Sequence, residues 1–436
     1  MYLKGSKWSM SRRTRRSNPW RVILLFVLVG AAIYFNQVIV PDIPPPGIDT
    51  PTPTRPPESF VSEAENLANS GKMSMALTPY AEAIQSDPKS LSNYLAVASL
   101  QINTGDYQGA LTSAENALLL NQNNSMANAL RGLAKGYLKD YLVGEAAIKH
   151  AIELDQNNAS AYAYLAEVIA LEVQDGQGDL GSLDQAVQAS RTAMNLGPNL
   201  LETHRARGIV LELTANYADA VQEFQAAIAI NSNIADLHLA LGRNYRFLQQ
   251  YDKAIEEFNR ANALNSTDPM ANVNISRTYA TVGEFAKAIQ FAQAAIDISP
   301  EDPFLYGNLG TMQYSNRQYP DAINSLRLAV RGGKTDAGNE VKGLALDYGR
   351  VAEYYYRYGL ALAHEGQCGE ALQISQLLQE GVPNDDISVY NAQEMVNICK
   401  QLSEGTSTPG ATETSGNNTT PTPKAKSKSR SATPQP

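Results

Sequence analysis

The stretch QYDKAIEEFNRANALNS (Gln250–Ser266) is repeated with changes at NYADAVQEFQAAIAINS (Asn216–Ser232) and at EFAKAIQFAQAAIDISP (Glu284–Pro300). Each copy starts 34 residues after the last. A pattern returning at a fixed interval reflects a geometric unit, one that buries its apolar face only by stacking on its neighbours. Counted outward, blocks of this period run 57–90, 91–124, 125–158, 159–200, 201–234, 235–268, 269–302 and 303–336, with a last one at 352–385 after a break. The eighth and twentieth places are small throughout, from Ala64 and Ala76 to Gly359 and Ala371. Place seventeen is mostly aromatic: Tyr107, Tyr141, Tyr217, Tyr251, Phe285 and Tyr319.

Within each block, apolar residues recur at helical spacing in two stretches of about 13 residues. Turns such as TGDY and VGEF separate them, and prolines in SDPKS, ISPED and GVPND close several blocks. Each block therefore reads as a helical hairpin. Small side chains at the crossing let the two backbones approach, and the bulky residue at place seventeen fills space beside it. After Pro383, DISVYNAQEMVNICKQL (Asp386–Leu402) reads as a solvating cap helix, which an open-ended stack needs.

The pattern resembles the tetratricopeptide repeat (TPR) family. The matching places are small residues at eight, twenty and twenty-seven, the aromatic at seventeen, and Pro88, Pro198, Pro300 and Pro383 at thirty-two. The likeness runs from Pro57 to about Pro383. It implies an all-α, right-handed superhelical solenoid of about nine helix-turn-helix repeats over 57–403, capped by 386–403. Two departures stand out. Block four carries eight extra residues in its turn, in EVQDGQGDLG (Glu172–Gly181), and Ala337–Val351 interrupt the array.

Charge divides the chain unevenly. The formal net charge is −9, yet residues 1–20 are basic, and the first 21 residues hold seven cations and no acid. The remainder is strongly acidic, which argues against nucleic acid as a partner, because phosphate binding needs a basic face. RVILLFVLVGAAIYFNQVIV (21–40) is long enough at 1.5 Å per residue to span a bilayer core of about 30 Å. The cations before it place the N-terminus in the cytoplasm and the array on the extracytoplasmic side of a bacterial-type membrane. A cleaved signal peptide is the competing reading. Residues 41–56 form a proline-rich, stiff linker. The tail 404–436 is rich in Ser, Thr and Pro and is expected to be disordered. Its Lys424, Lys426, Lys428 and Arg430 suit a solubilising role or contact with an anionic envelope polymer.

Candidate chemistry is sparse. GQGDLG (Gly176–Gly181) has the letters of a dinucleotide fingerprint but lies between helices, where that motif needs a strand before it. Asp175, Asp179 and Asp184 lack a bidentate Glu to complete a Ca²⁺ loop. His204 and His238 share place four of adjacent blocks, without the further ligands that zinc needs. No cofactor and no catalytic constellation is expected. Cys368 and Cys399 start one helix and lie late in its antiparallel neighbour, so they are expected to form a disulfide pinning the cap.

The resemblance places first-helix positions two, five, six, nine, twelve and thirteen on a concave face. There Arg205, Arg243, Arg246, Asn274, Arg277 and Asn308 form a candidate peptide-binding groove. Family members use asparagine at place six to hold a ligand's backbone, since an amide both donates and accepts. The arginines suit acidic side chains or a terminal carboxylate. Leu95, Ile102, Leu133, Tyr137 and Tyr164 line the same places in earlier blocks, as apolar groove or as core. The expected function is a non-catalytic, membrane-tethered scaffold for a protein or peptide. The alternatives are an adaptor or chaperone presenting substrates to a separate enzyme, or a structural envelope-attachment protein.

Overall fold

The computed structural model describes residues 18–34 and 55–405. The first 17 residues, most of the proline-rich linker and the tail from 406 onward lie outside the described residues. So do residues 35–40 of the expected membrane span. What is described of that span belongs to α1 (Pro19–Tyr34), a 16-residue helix with every residue exposed. Among the described residues, no helix is long and apolar enough to cross a membrane.

The body is a run of paired helices. The first four hairpins are α2 (Pro57–Asn69) with α3 (Met73–Ser86), α4 (Leu91–Thr104) with α5 (Tyr107–Leu120), α6 (Ser125–Tyr137) with α7 (Tyr141–Leu154), and α8 (Ala159–Gln174) with α9 (Ser182–Leu196). The fifth and sixth are α10 (Leu201–Leu213) with α11 (Tyr217–Ile230) and α12 (Ala235–Phe247) with α13 (Tyr251–Leu264). The last three are α14 (Met270–Thr281) with α15 (Phe285–Ile298), α16 (Pro303–Ser315) with α17 (Tyr319–Arg331), and α18 (Arg350–His364) with α19 (Cys368–Gly381). Helix α20 (Asp386–Gly405) closes the stack.

The small residues do what their spacing requires. Ala64, Ala98, Ala166, Ala76, Ala110, Ala186, Ala220 and Ala254 are fully buried. At Gly132 an added Cβ would lie 2.5 Å from the carbonyl of Gly144 on the partner helix, so only glycine permits that crossing. At Gly208 and Gly242 the hydrogen in place of a Cβ leaves room for the rings of Phe224 and Phe258, both buried. Side-chain caps fix several helix starts. Asp106 accepts from Gly109 N, Asn124 from Ala127 N and Asn158 from Ala161 N, each satisfying an otherwise unpaired first-turn donor.

The aromatics at place seventeen act between hairpins. The Tyr107 ring stacks on Tyr137 at 4.2 Å, Tyr217 on Phe247 at 4.5 Å and Tyr319 on His364 at 4.6 Å. In each pair the second ring stands at place thirteen of the next block. Place thirteen thus serves the joint between hairpins as well as the concave face.

The break before the last hairpin has structure of its own. Strands β1 (Gly332–Lys334) and β2 (Glu340–Lys342) pair antiparallel, with Gly332 opposite Lys342. Gly332 has φ +73°, and a Cβ there would stand 2.5 Å from Val341 O and Gly343 N. Buried Val341 turns inward, and the Tyr355 hydroxyl donates to Leu344 O at 2.8 Å. The sequence showed an interruption here and no sign of strands.

The cap is covalently fixed. Cys368 at the start of α19 is disulfide-bonded to Cys399 in α20, with a Cα separation of 5.6 Å. Ala392 and Met395 of α20 are fully buried, and the Met395 side chain lies against Gly359.

Candidate groove site

First helices α2, α4, α6 and so on to α18 supply the residues of the candidate site. Their arrangement divides into two zones. In the amino-terminal zone, charge is answered within the array. Arg205 on α10 is 6% exposed and pairs with fully buried Glu167 on α8, Nη2 to Oε2 at 3.0 Å. The Tyr137 hydroxyl donates to the same carboxylate. Burial works against the Arg205 charge, but Glu167 together with Tyr137, Tyr164 and Glu202 outweighs it and holds the guanidinium above its ordinary value. Arg243 grips Glu212 with two bonds, at 2.9 and 3.2 Å, and Asn244 Nδ2 donates to Glu212 at 3.1 Å. Buried Ile102, Leu133 and Tyr164 belong to the core there rather than to an apolar groove.

In the carboxyl-terminal zone, the arginines reach across to asparagines. Arg246 Nη1 donates to Asn274 Oδ1 at 3.4 Å, and Arg277 Nε to Asn308 Oδ1 at 3.1 Å. Each asparagine also spends its nitrogen inside the array, Asn274 on Met270 O at 2.9 Å and Asn308 on Ser276 Oγ at 3.3 Å. Both amides are buried and point their donors inward. Their role here is to aim the arginine heads.

Those heads form no ion pair among the described residues; Glu353 and Glu212 act on Arg277 and Arg246 only from a distance. Among the described residues, no carboxylate lies within 4.0 Å of the guanidinium of Arg246, Arg277 or Arg350. Burial, and then neighbouring Arg350, lower the Arg277 guanidinium to about 10. Burial, Arg243 and Arg350 push Arg246 in the same direction. Arg350 sits at the start of α18, outside the block register, so sequence reasoning missed it. Clustered, partly desolvated guanidinium groups repel one another and are suited to an anion.

The remaining sequence candidates fall elsewhere. His204 Nδ1 meets Glu223 at 2.7 Å, and His238 Nδ1 meets Glu257 at 2.6 Å while its Nε2 faces Ser232 O at 3.0 Å. Both histidines are tied to carboxylates on their own hairpins. Among the described residues, no cluster of His, Cys, Asp and Glu has metal-binding geometry. In the GQGDLG loop, Asp179 Oδ1 accepts from Gly181 N at 2.8 Å, a local turn that leads into α9. A helix, not a strand, precedes that loop.

Stacked helical hairpins with a lined concave face define an α-solenoid repeat protein. Residues 239–303 match the model of the tetratricopeptide repeat family. That stretch is similar to tetratricopeptide repeats. The structure of the chain is similar to several solved ones. One is the Cut9–Hcn1 hetero-tetramer of the APC/C, with 18% identity, 57% of this chain and 48% of that chain covered, and TM-score 0.45. Another is PilF of Pseudomonas aeruginosa, with 17% identity, 56% and 98% covered, and TM-score 0.43. A thermophilic TPR protein of Thermus thermophilus shares 21% identity, with 43% and 98% covered and TM-score 0.37. The chain spans about half the length of the Cut9–Hcn1 chain it matches. No curated protein sequence matches it.

Proposed function

We propose that this chain is a non-catalytic, membrane-tethered scaffold that holds an anionic peptide segment in the carboxyl-terminal half of its groove. The observation that carries this reading is the convergence of Arg246, Arg277 and Arg350 with no carboxylate within 4.0 Å among the described residues. Arg277 and Arg246 are held in place by Asn308 and Asn274, so their free N–H groups are preorganised for a carboxylate. Arg205 and Arg243 are already neutralised by Glu167 and Glu212, and they act as struts of the coil. The apolar run at 21–40 and the cations before it favour an anchor with the array outside the cytoplasm. The basic residues Lys424–Arg430 suit secondary contact with an anionic envelope polymer.

Fluorescence anisotropy of the full-length protein with acidic peptides, ending in a free carboxylate or an amide, tests the groove. Replacing Asn274 and Arg277 together by alanine is expected to weaken capture at least tenfold while helicity stays unchanged. Equal capture by the parent and the double variant refutes the assignment. Carbonate extraction of membranes tests the tether: the protein is expected in the pellet, and a variant lacking 21–40 in the supernatant.

A further inference from the structure

The coil winds tightly enough to touch itself four hairpins on. Asn233, in the turn between α11 and α12, donates from Nδ2 to the carbonyl of Asn69 at the end of α2, at 3.1 Å. Gly71, in the next turn, has φ +83°, and a Cβ there would stand 3.0 Å from Asn233 Oδ1. Beside it, Arg205 Nη1 donates to Asn103 Oδ1 of α4 at 3.2 Å. Met73, Val97 and Leu100 share one buried cluster with Leu237 and Ile275. The amino-terminal edge of the array thus rests on the turns of the fifth and sixth hairpins.

This seam differs in part from the joints between successive hairpins. Beside its shared apolar cluster it encloses a cavity of about 500 Å³, bordered by Lys72, Met75, Thr104, Tyr107, Asp236 and Thr267. A mixed polar lining of that size has room for water, so the cavity itself adds little packing energy to the apolar cluster beside it. Asp236 stands on the rim of this cavity; burial and then Asp268 hold its carboxyl above the ordinary range, although the residue as a whole is exposed. Hairpin one is also the terminal hairpin of the described array, with a neighbouring hairpin on one side alone.

We propose that the seam is a gate: the amino-terminal hairpin lifts from the α11–α12 turn, opens the side of the coil and reseats around a chain lying in the lumen. A closed coil admits a segment end-first only, whereas an open seam admits an internal stretch of a folded partner's chain side-on. The gate is independent of which ligand the groove takes, because its test contains none.

The two native cysteines are paired in a disulfide, so introduced thiols label selectively. Spin labels on Met75→Cys and Thr267→Cys, which border the cavity from the first and sixth hairpins, report the seam by double electron–electron resonance on the full-length chain. A short and a long distance are expected. Asn233→Ala, which removes one hydrogen bond, is expected to raise the open-to-closed ratio about fivefold, with far-ultraviolet circular dichroism unchanged. Asn233→Gln, which keeps the donor, is expected to restore the short distance in part. An Asn233→Ala distance distribution superimposable on that of its parent overturns the gate.

Discussion

Place fifteen of the blocks shows what a single residue contributes. It adopts the left-handed conformation at the turn between the two helices of a hairpin. Glycine serves at Gly71, Gly105, Gly283 and Gly366, but Lys139, Ala215, Gln249 and Arg317 hold φ between 59° and 65°. A Cβ in that region costs about 1–2 kcal/mol, partly offset because glycine is freer in the unfolded chain. Ala215→Gly is therefore expected to stabilise the array by about 0.5–1 kcal/mol, read from a urea midpoint; a lower midpoint contradicts it. Arg277 makes a second case. Its folded-state value, about 10, lies below the ordinary arginine range. The folded protein therefore bears a cost for its charge at neutral pH, relieved only as pH rises through 10. Arg277→Gln is expected to raise stability on the order of 1 kcal/mol while lowering peptide capture. Loss of both would show that the guanidinium is structural. The sequence revealed the glycine turns directly. It did not reveal that Lys139, Ala215, Gln249 and Arg317 share their geometry, because nothing in those side chains favours a positive φ.

At the scale of elements, the hairpins and their cap were legible because a 34-residue period with buried small residues has few geometric solutions. The joints between hairpins were not. Tyr217 and Phe247 stand 30 residues apart and read as filler and groove, yet they stack on each other. Tyr217→Ala is expected to cost about 2 kcal/mol. Phe247→Ala should cost a similar amount, and the double variant less than the sum, in a urea-denaturation cycle. Additive losses would show that the rings do not couple. The candidate arginines divide for the same reason. Glu167 and Glu212 lie 38 and 31 residues before Arg205 and Arg243. The pairing arises from the rise between successive hairpins, which single-block reasoning does not contain. The β1–β2 strands escaped notice because three-residue strands carry no period of their own.

On the scale of the whole molecule, the self-contact of the coil depends on superhelical pitch, and pitch is the sum of small rotations between hairpins that no local pattern encodes. The Cys368–Cys399 bridge was legible, since antiparallel neighbours place the start of one helix beside the end of the next. It closes a loop of 31 residues and is expected to contribute about 3–4 kcal/mol in a chain-entropy account. Cys368→Ser with Cys399→Ser should free α20 for hydrogen exchange while α6 and α7 keep their protection. Unchanged protection of α20 would show that packing alone holds the cap.

That bridge also sets a direction. A stack of hairpins frays from its ends inward, and here one end is bolted by sulfur while the other leans on a hydrated rim. Under tension or heat, such a molecule should come undone like a zip with a single slider, beginning near Pro57 and travelling toward the cap. A protease meeting the protein would then find its earliest cuts beside the end from which the chain is proposed to hang.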